Sequence, residues 1–126
     1  MKFRVLVADD DEDLLEAVAL ELEHLGLEHV VRAQSGAELM DHVANGGPFG
    51  LIVTDINMPW MNGLDVTRSM RKAGLITPIL LITGDTEVLA VGVGDQVLLL
   101  RKPFDTAALQ AAVNQLVPGL LPVHLG

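Results

Sequence analysis

Val5-Leu6-Val7-Ala8-Asp9-Asp10-Asp11 is the stretch from which the fold is read: four apolar residues run straight into three acids. A continuous apolar run this short suits a strand covered on both faces, as in a parallel sheet. The pattern recurs along the chain. Leu51 to Val53 leads to Asp55, Ile79 to Ile82 leads to Thr83, and Val97 to Leu100 leads to Arg101-Lys102-Pro103. Val30-Val31, within Glu28 to Ala33, is a weaker run and reads as an edge strand.

Helical patterns lie between these runs. Leu14, Val18, Leu22 and Leu25 recur at helical spacing, Leu15 and Ala19 widen the stripe, and Gly26 is a stop. Ser35 opens a capping box with Glu38, for a helix running toward Gly46-Gly47-Pro48. A third helix follows Asn62-Gly63, carries Leu64, Thr67, Met70 and Arg71, and ends near Gly74. The last starts after Asp105 and stops before Pro118-Gly119. Asp85 to Gly94, interrupted by Gly92 and Gly94, is predicted to hold at best a short helix.

Strands alternating with helices imply right-handed crossovers. The predicted fold is therefore α/β: a doubly wound, five-stranded parallel sheet of order 2-1-3-4-5 with helices on both faces and a short fourth helix. One domain is expected over residues 1–117, with residues 118–126 as a tail and Leu120 to Gly126 loosely held. No second domain and no appended effector are expected.

Composition narrows the function classes. The 126 residues include no Cys, which excludes disulfides and thiolate metal sites. Half the residues are hydrophobic but only 3% aromatic, so the core must be aliphatic. The formal net charge is −9 and the eight Lys and Arg are scattered. A nucleic-acid surface needs a basic stripe, so none is expected. No apolar run approaches the ~20 residues of a membrane span, and Met1-Lys2-Phe3-Arg4 does not begin a signal peptide. A soluble, cytoplasmic protein is expected.

Ligands of open α/β sheets bind beyond the carboxyl ends of the strands. There the chain sets Asp9, Asp10 and Asp11 after the first strand, Asp55 after the third, Thr83 after the fourth and Lys102 after the fifth. Crowded carboxylates repel one another unless a cation intervenes. Oxygen ligands without His or Cys select a hard ion such as Mg²⁺, which takes one or two carboxylates plus a phosphate oxygen. Lys102 can pair with a second phosphoryl oxygen and the Thr83 hydroxyl with a third. Asp55 is left as the nucleophile, forming an acyl phosphate.

These residues resemble the receiver domain of two-component response regulators over essentially residues 1–117, a flavodoxin-like fold. The resemblance rests on Val5-Leu6-Val7-Ala8-Asp9-Asp10, Thr54-Asp55-Ile56-Asn57-Met58-Pro59, Asn62-Gly63, Thr83-Gly84 and Lys102-Pro103-Phe104, in that order. It implies a phosphorylation-dependent signalling switch. Asp55 would take phosphate from a phosphohistidine of a histidine kinase or a histidine phosphotransfer protein. Asp10 would bind Mg²⁺ directly, Asp9 partly through water, alongside Asp55 and the backbone carbonyl of Asn57. Thr83 would be the switch hydroxyl and Lys102 the ammonium beside the phosphoryl group, with a bond to Pro103 that is usually cis in the family. Catalysis would be confined to the protein's own phosphorylation and dephosphorylation. The state expected is a monomer or weak dimer.

Two departures stand out. Many receivers carry Tyr or Phe three residues before the lysine, where this chain has Leu99, and the stretch from Thr83 to Lys102 is a few residues shorter than usual. Both touch output coupling, and they leave a second reading open: a receiver-like docking module that ignores phosphate. A phosphatase would want an acid at position 57, which is Asn, and a flavin carrier would want hydroxyls rather than acids after the first strand. An EF-hand loop fails at its sixth and twelfth positions, Leu14 and Leu20. Asp11, Glu12 and Asp13 read as a solvated helix start. His24, His29, His42 and His124 show no metal-like grouping, and Trp60 falls in the loop after Asp55. Asn57 and Asp85 are expected to flank the phosphoryl group and admit an attacking water, shortening its lifetime.

Overall fold

The computed structural model describes residues 3–59, 61–84 and 95–121. Their elements run β1 (Arg4–Ala8), α1 (Glu12–His24), β2 (His29–Ala33), α2 (Gly36–Asp41) with a π-helical turn (His42–Gly46), β3 (Leu51–Asp55), β4 (Asn57–Met58), β5 (Met61–Asn62), α3 (Gly63–Lys72), β6 (Ile79–Thr83), β7 (Val97–Arg101) and α4 (Thr106–Leu116). The five long strands are all parallel, in the order β2-β1-β3-β6-β7. This is the order 2-1-3-4-5 of the sequence reading. The two-residue strands β4 and β5 form a separate antiparallel hairpin where turn formers were expected.

The apolar runs become strands because both faces find helices. Val5, Val7, Leu51, Val53, Leu80 and Ile82 pack with Leu15, Val18 and Leu22 of α1 and Leu109 and Val113 of α4. On the other face, Leu6, Ile52, Ile79 and Leu81 pack with Leu39 of α2 and Val66 and Met70 of α3. Every residue of β3 and β6 is buried, which is why their sequences do not alternate. No described helix is long and apolar enough to cross a membrane.

Helix ends follow their local chemistry. Asp11 caps α1 by accepting from the backbone N–H groups of Asp13 and Leu14. Ser35 accepts from Glu38 N, and the Glu38 carboxylate accepts from Gln34 N at 2.7 Å, a capping box displaced by one residue. Asn62 caps α3 and Asp105 caps α4. Gly74 adopts φ +83° after α3, a conformation that favours glycine.

Two expectations need correction. Leu14 was placed on the buried stripe of α1 but is 39% exposed; Leu15, Val18, Ala19 and Leu22 make the stripe. At Leu14 the helix turns toward a groove instead of the sheet. Leu121, expected in a loose tail, is buried against the α1–α4 face. Covering that face takes the apolar Leu121 side chain out of water, which favours the packed arrangement over a solvated one. The expected short helix over Asp85–Gly94, Trp60 and residues 122–126 lie outside the described residues.

The central strands dominate stability. Leu81→Ala, at a fully buried position, is expected to cost about 2–5 kcal/mol in urea unfolding. Leu20→Ala, at a half-exposed position of α1, is expected to stay within about 0.5 kcal/mol of wild type.

Candidate functional site

Parallel strands end on one rim, and that rim collects the chemistry. Asp9 follows β1, Asp55 ends β3, Thr83 ends β6 and Lys102 follows β7. One carboxylate oxygen from each of Asp9, Asp10 and Asp55 lies within 4.8 Å of the others. Lys102 Nζ is 3.2 Å from Asp55 Oδ2 and 3.8 Å from Asp9 Oδ2. Asp9 and Asp55 are buried while Asp10 is exposed, so the cluster opens to solvent on one side.

Backbone groups hold the buried acids in place. Asp9 Oδ1 accepts from Asp11 N at 2.9 Å and Asp55 Oδ1 accepts from Asn57 N at 3.0 Å. Each acid thus spends one oxygen on the loop that follows it. The second oxygen of each is on the Lys102 side. Asp11 therefore caps α1 and also supplies the N–H that fixes Asp9.

Burial pushes the Asp9 carboxyl from the ordinary 3.8 up to about 6, against the hydrogen bond from Asp11 N–H. The Asp55 and Asp10 charges add to the rise, and the Lys102 ammonium opposes it.

The remaining sequence-predicted residues fall as follows. Thr83 is fully buried at the end of β6, and its carbonyl accepts from Lys102 N at 2.8 Å, which ties the two strand ends together. Asn57 is exposed at the rim and pairs with Asn62 in the hairpin. The Lys102–Pro103 bond is cis. Leu99 packs on the α2–α3 face beside Leu81, its register neighbour. Asp85 lies outside the described residues. His24, His29 and His42 join no ligand group among the described residues.

Two features went unread in the sequence. Gly63 starts α3 directly beneath Asp55: a Cβ there would stand 2.7 Å from the Asp55 carbonyl oxygen. Asn62-Gly63 signals a turn, and nothing local distinguishes a turn glycine from one demanded by close approach. The second is an apolar groove of about 620 Å³ between α1 and the β7–α4 loop, walled by Leu14, Val18, Phe104 and Leu109 and reaching Asp9 and Lys102.

Two outcomes follow from this geometry. In divalent-free buffer the folded state holds the Asp9 proton in a window, about pH 4 to 6, where the unfolded chain has released it. Stability from Asp9 is then present below about pH 4 and lost as pH rises through about 6. Asp9→Asn should match wild type near pH 4 and exceed it near pH 7 by on the order of 1–3 kcal/mol in urea melts with chelator. Gly63→Ala should cost about 1–3 kcal/mol and lower the reactivity of Asp55, read by chemical labelling of that carboxylate.

Comparison with known proteins agrees with the geometry. The family model for the response regulator receiver domain matches residues 5–114. The chain is 36% identical over 123 residues to the response regulator MprA of Mycobacterium sp. (strain KMS), covering 93% of this chain and 51% of that protein. It is 31% identical over 119 residues to the uncharacterized transcriptional regulatory protein YkoG of Bacillus subtilis, covering 90% and 50%. It thus spans about half the length of the curated relatives it matches. Among solved structures, a response regulator receiver protein from Sinorhizobium medicae superposes with a TM-score of 0.80 at 30% identity, covering 94% of this chain and 96% of that one. The chemotaxis response regulator CheY4 of Vibrio cholerae gives 0.80 at 26%, covering 93% and 100%. With the rim of acids and lysine and the 2-1-3-4-5 sheet, these matches settle the family: the chain belongs to the response regulator receiver domains of two-component systems.

Proposed function

We propose that this receiver domain accepts a phosphoryl group on Asp55 from a phosphohistidine of a histidine kinase or histidine phosphotransfer protein, in a Mg²⁺-dependent reaction. The observation that carries this is the placing of Lys102 Nζ 3.2 Å from Asp55 Oδ2 while Asp9 and Asp10 stand within ligand distance of the same carboxylate.

The donor set suits the ion. Three carboxylates and no nitrogen or sulfur ligand favour a hard divalent cation, and the exposed side at Asp10 leaves room for the waters that Mg²⁺ retains. Asp9, Asp10, Asp55 and the Asn57 carbonyl are the groups assigned to hold it. When bound, Mg²⁺ supplies charge neutralisation for the phosphoryl oxygens and relieves the repulsion among the acids.

Asp55 Oδ1 accepts from Asn57 N–H and Oδ2 faces Lys102 Nζ; Oδ2 is assigned as the attacking oxygen. Its bond to phosphorus forms as the phosphorus–nitrogen bond of the donor breaks, and the imidazole leaves with its lone pair. The Lys102 ammonium, already beside Oδ2, is placed to pair with a phosphoryl oxygen, and the Thr83 hydroxyl is assigned to another. The groove beside Asp9 and Lys102 gives the donor protein an apolar seat next to the acceptor. Leu99 offers no hydroxyl to Thr83, so an output that needs a Thr–Tyr pair is not assigned to this chain.

Incubation with Mg²⁺ and acetyl phosphate, read by intact mass, is expected to add one phosphoryl group, which borohydride reduction maps to Asp55. Asp55→Asn or chelation of Mg²⁺ should abolish the adduct, and Lys102→Met should slow labelling roughly a hundredfold. A wild-type chain that takes no phosphate under these conditions would support the phosphate-independent docking module instead.

A further inference from the structure

The chain between Asp55 and α3 folds back on itself as the β4–β5 hairpin, in which Asn57 pairs with Asn62 and Met58 with Met61. A hairpin of two-residue strands does not hold together alone in water and needs a surface to lie on. Opposite residues of an antiparallel pair project to one face, and neighbours along a strand to opposite faces. Met58 and Met61 therefore share one face, and Asn57 and Asn62 the other. The methionine face is the one that packs. Met58 is buried, and Met61 lies half-buried against the same apolar cluster.

Met61 is seated on Gly36, the buried first residue of α2. A Cβ at position 36 would overlap Met61 Cβ, and Met61 Cγ and Sδ would stand 3.0 and 3.1 Å from it. A Cβ cannot swing aside as the end of a side chain can, so relieving the overlap means moving the β5 backbone. Gly36 has no positive φ, so its backbone conformation does not require glycine. Glycine is also a poor helix former. What this position supplies is room for Met61.

The hairpin is tied to the site at both ends. Asn57 N–H donates to Asp55 Oδ1 at 3.0 Å, which leaves Oδ2 3.2 Å from Lys102 Nζ. At the other end, Asn62 Oδ1 accepts from Leu64 N at 2.7 Å, and Gly63 N donates to Ile56 O at 2.8 Å. Neither end sets how closely the hairpin lies on α2; the contact of Met61 with Gly36 does.

We propose that Gly36 and Met61 are positioning residues for phosphoryl acceptance: their contact seats the hairpin so that Asn57 N–H holds the Asp55 carboxylate with Oδ2 toward Lys102. The proposal deepens the reading of Asp55 as the phosphoacceptor and rests on it. With the hairpin lifted, Oδ1 loses its donor, the carboxylate is free to turn, and Oδ2 no longer keeps one direction.

Two readouts on the full chain test this. The Asn57 amide proton shift, measured with chelator, reports the bond to the Asp55 carboxylate without metal or phosphate. The rate of labelling by acetyl phosphate with Mg²⁺ reports the reactivity of Asp55. Gly36→Ala is expected to move the Asn57 amide proton upfield and to slow labelling about tenfold. In a Met61→Gly background, which removes the overlapping Cβ, the same Gly36→Ala should leave the amide unmoved and change labelling by less than about twofold. Ile79→Ala lies in the same apolar cluster but at the start of β6, away from the rim. It should lower stability and leave both readouts at their wild-type values. If Gly36→Ala is unfolded, recovery of the fold in the Met61→Gly background supports the contact, and no recovery overturns it. An Asn57 amide unmoved by Gly36→Ala, an equal slowing with and without the Met61 Cβ, or the same losses in Ile79→Ala would overturn the proposal. A wild-type chain that takes no phosphate would overturn its link to phosphoryl acceptance, and the Asn57 amide would still decide the contact.

Discussion

Three carboxylates held at the ends of buried parallel strands are the constraint on which the rest of this structure turns. Asp9, Asp10 and Asp55 offer oxygens within 4.8 Å of one another, and two of the three residues are buried. Burial, and after it the neighbouring Asp55 and Asp10 charges, push the Asp9 carboxyl up to about 6. Lys102, at 3.2 Å from one acid and 3.8 Å from another, offsets part of that repulsion.

The scaffold that maintains this crowding is aliphatic. β1, β3 and β6 are covered on both faces, so their ends cannot splay to relax the acids. The loops add backbone hydrogen bonds: Asp11 N–H to Asp9, Asn57 N–H to Asp55, and Lys102 N–H to the Thr83 carbonyl. Gly63 completes the arrangement by letting α3 start against the Asp55 main chain. The first two links are local in sequence, but the cluster exists only because the winding order brings β1, β3, β6 and β7 side by side.

Much of this was legible in the residues. Unbroken apolar runs leading to Asp9, Asp55 and Thr83 report strands buried on both faces, the run before Lys102 reports a half-buried edge strand, and the positions after the runs report the rim. Ser35 with Glu38 gave one helix start as a capping box, and the acids from Asp11, the Asn62-Gly63 pair and Asp105 marked the other starts, because helix-end chemistry is local. Features that depend on tertiary proximity were not legible. Leu14 fits the helical period of α1 as well as Leu15 does, and only the placement of the sheet decides which is covered. The packing of Leu121, the need for glycine at position 63 and the groove beside Lys102 all depend on what another part of the chain brings into contact.

The central claim is that strand ends distant in sequence form one cation site around Asp55. Titration of isotopically labelled protein with Mg²⁺, followed residue by residue in amide NMR spectra, measures it most directly. The account predicts saturable shifts at Asp9 to Asp11, at Asp55 to Asn57 and at Lys102, all with one dissociation constant. Shifts that fail to saturate, or that spread over the acidic face of α1 and leave Asp55 and Lys102 unmoved, would contradict it.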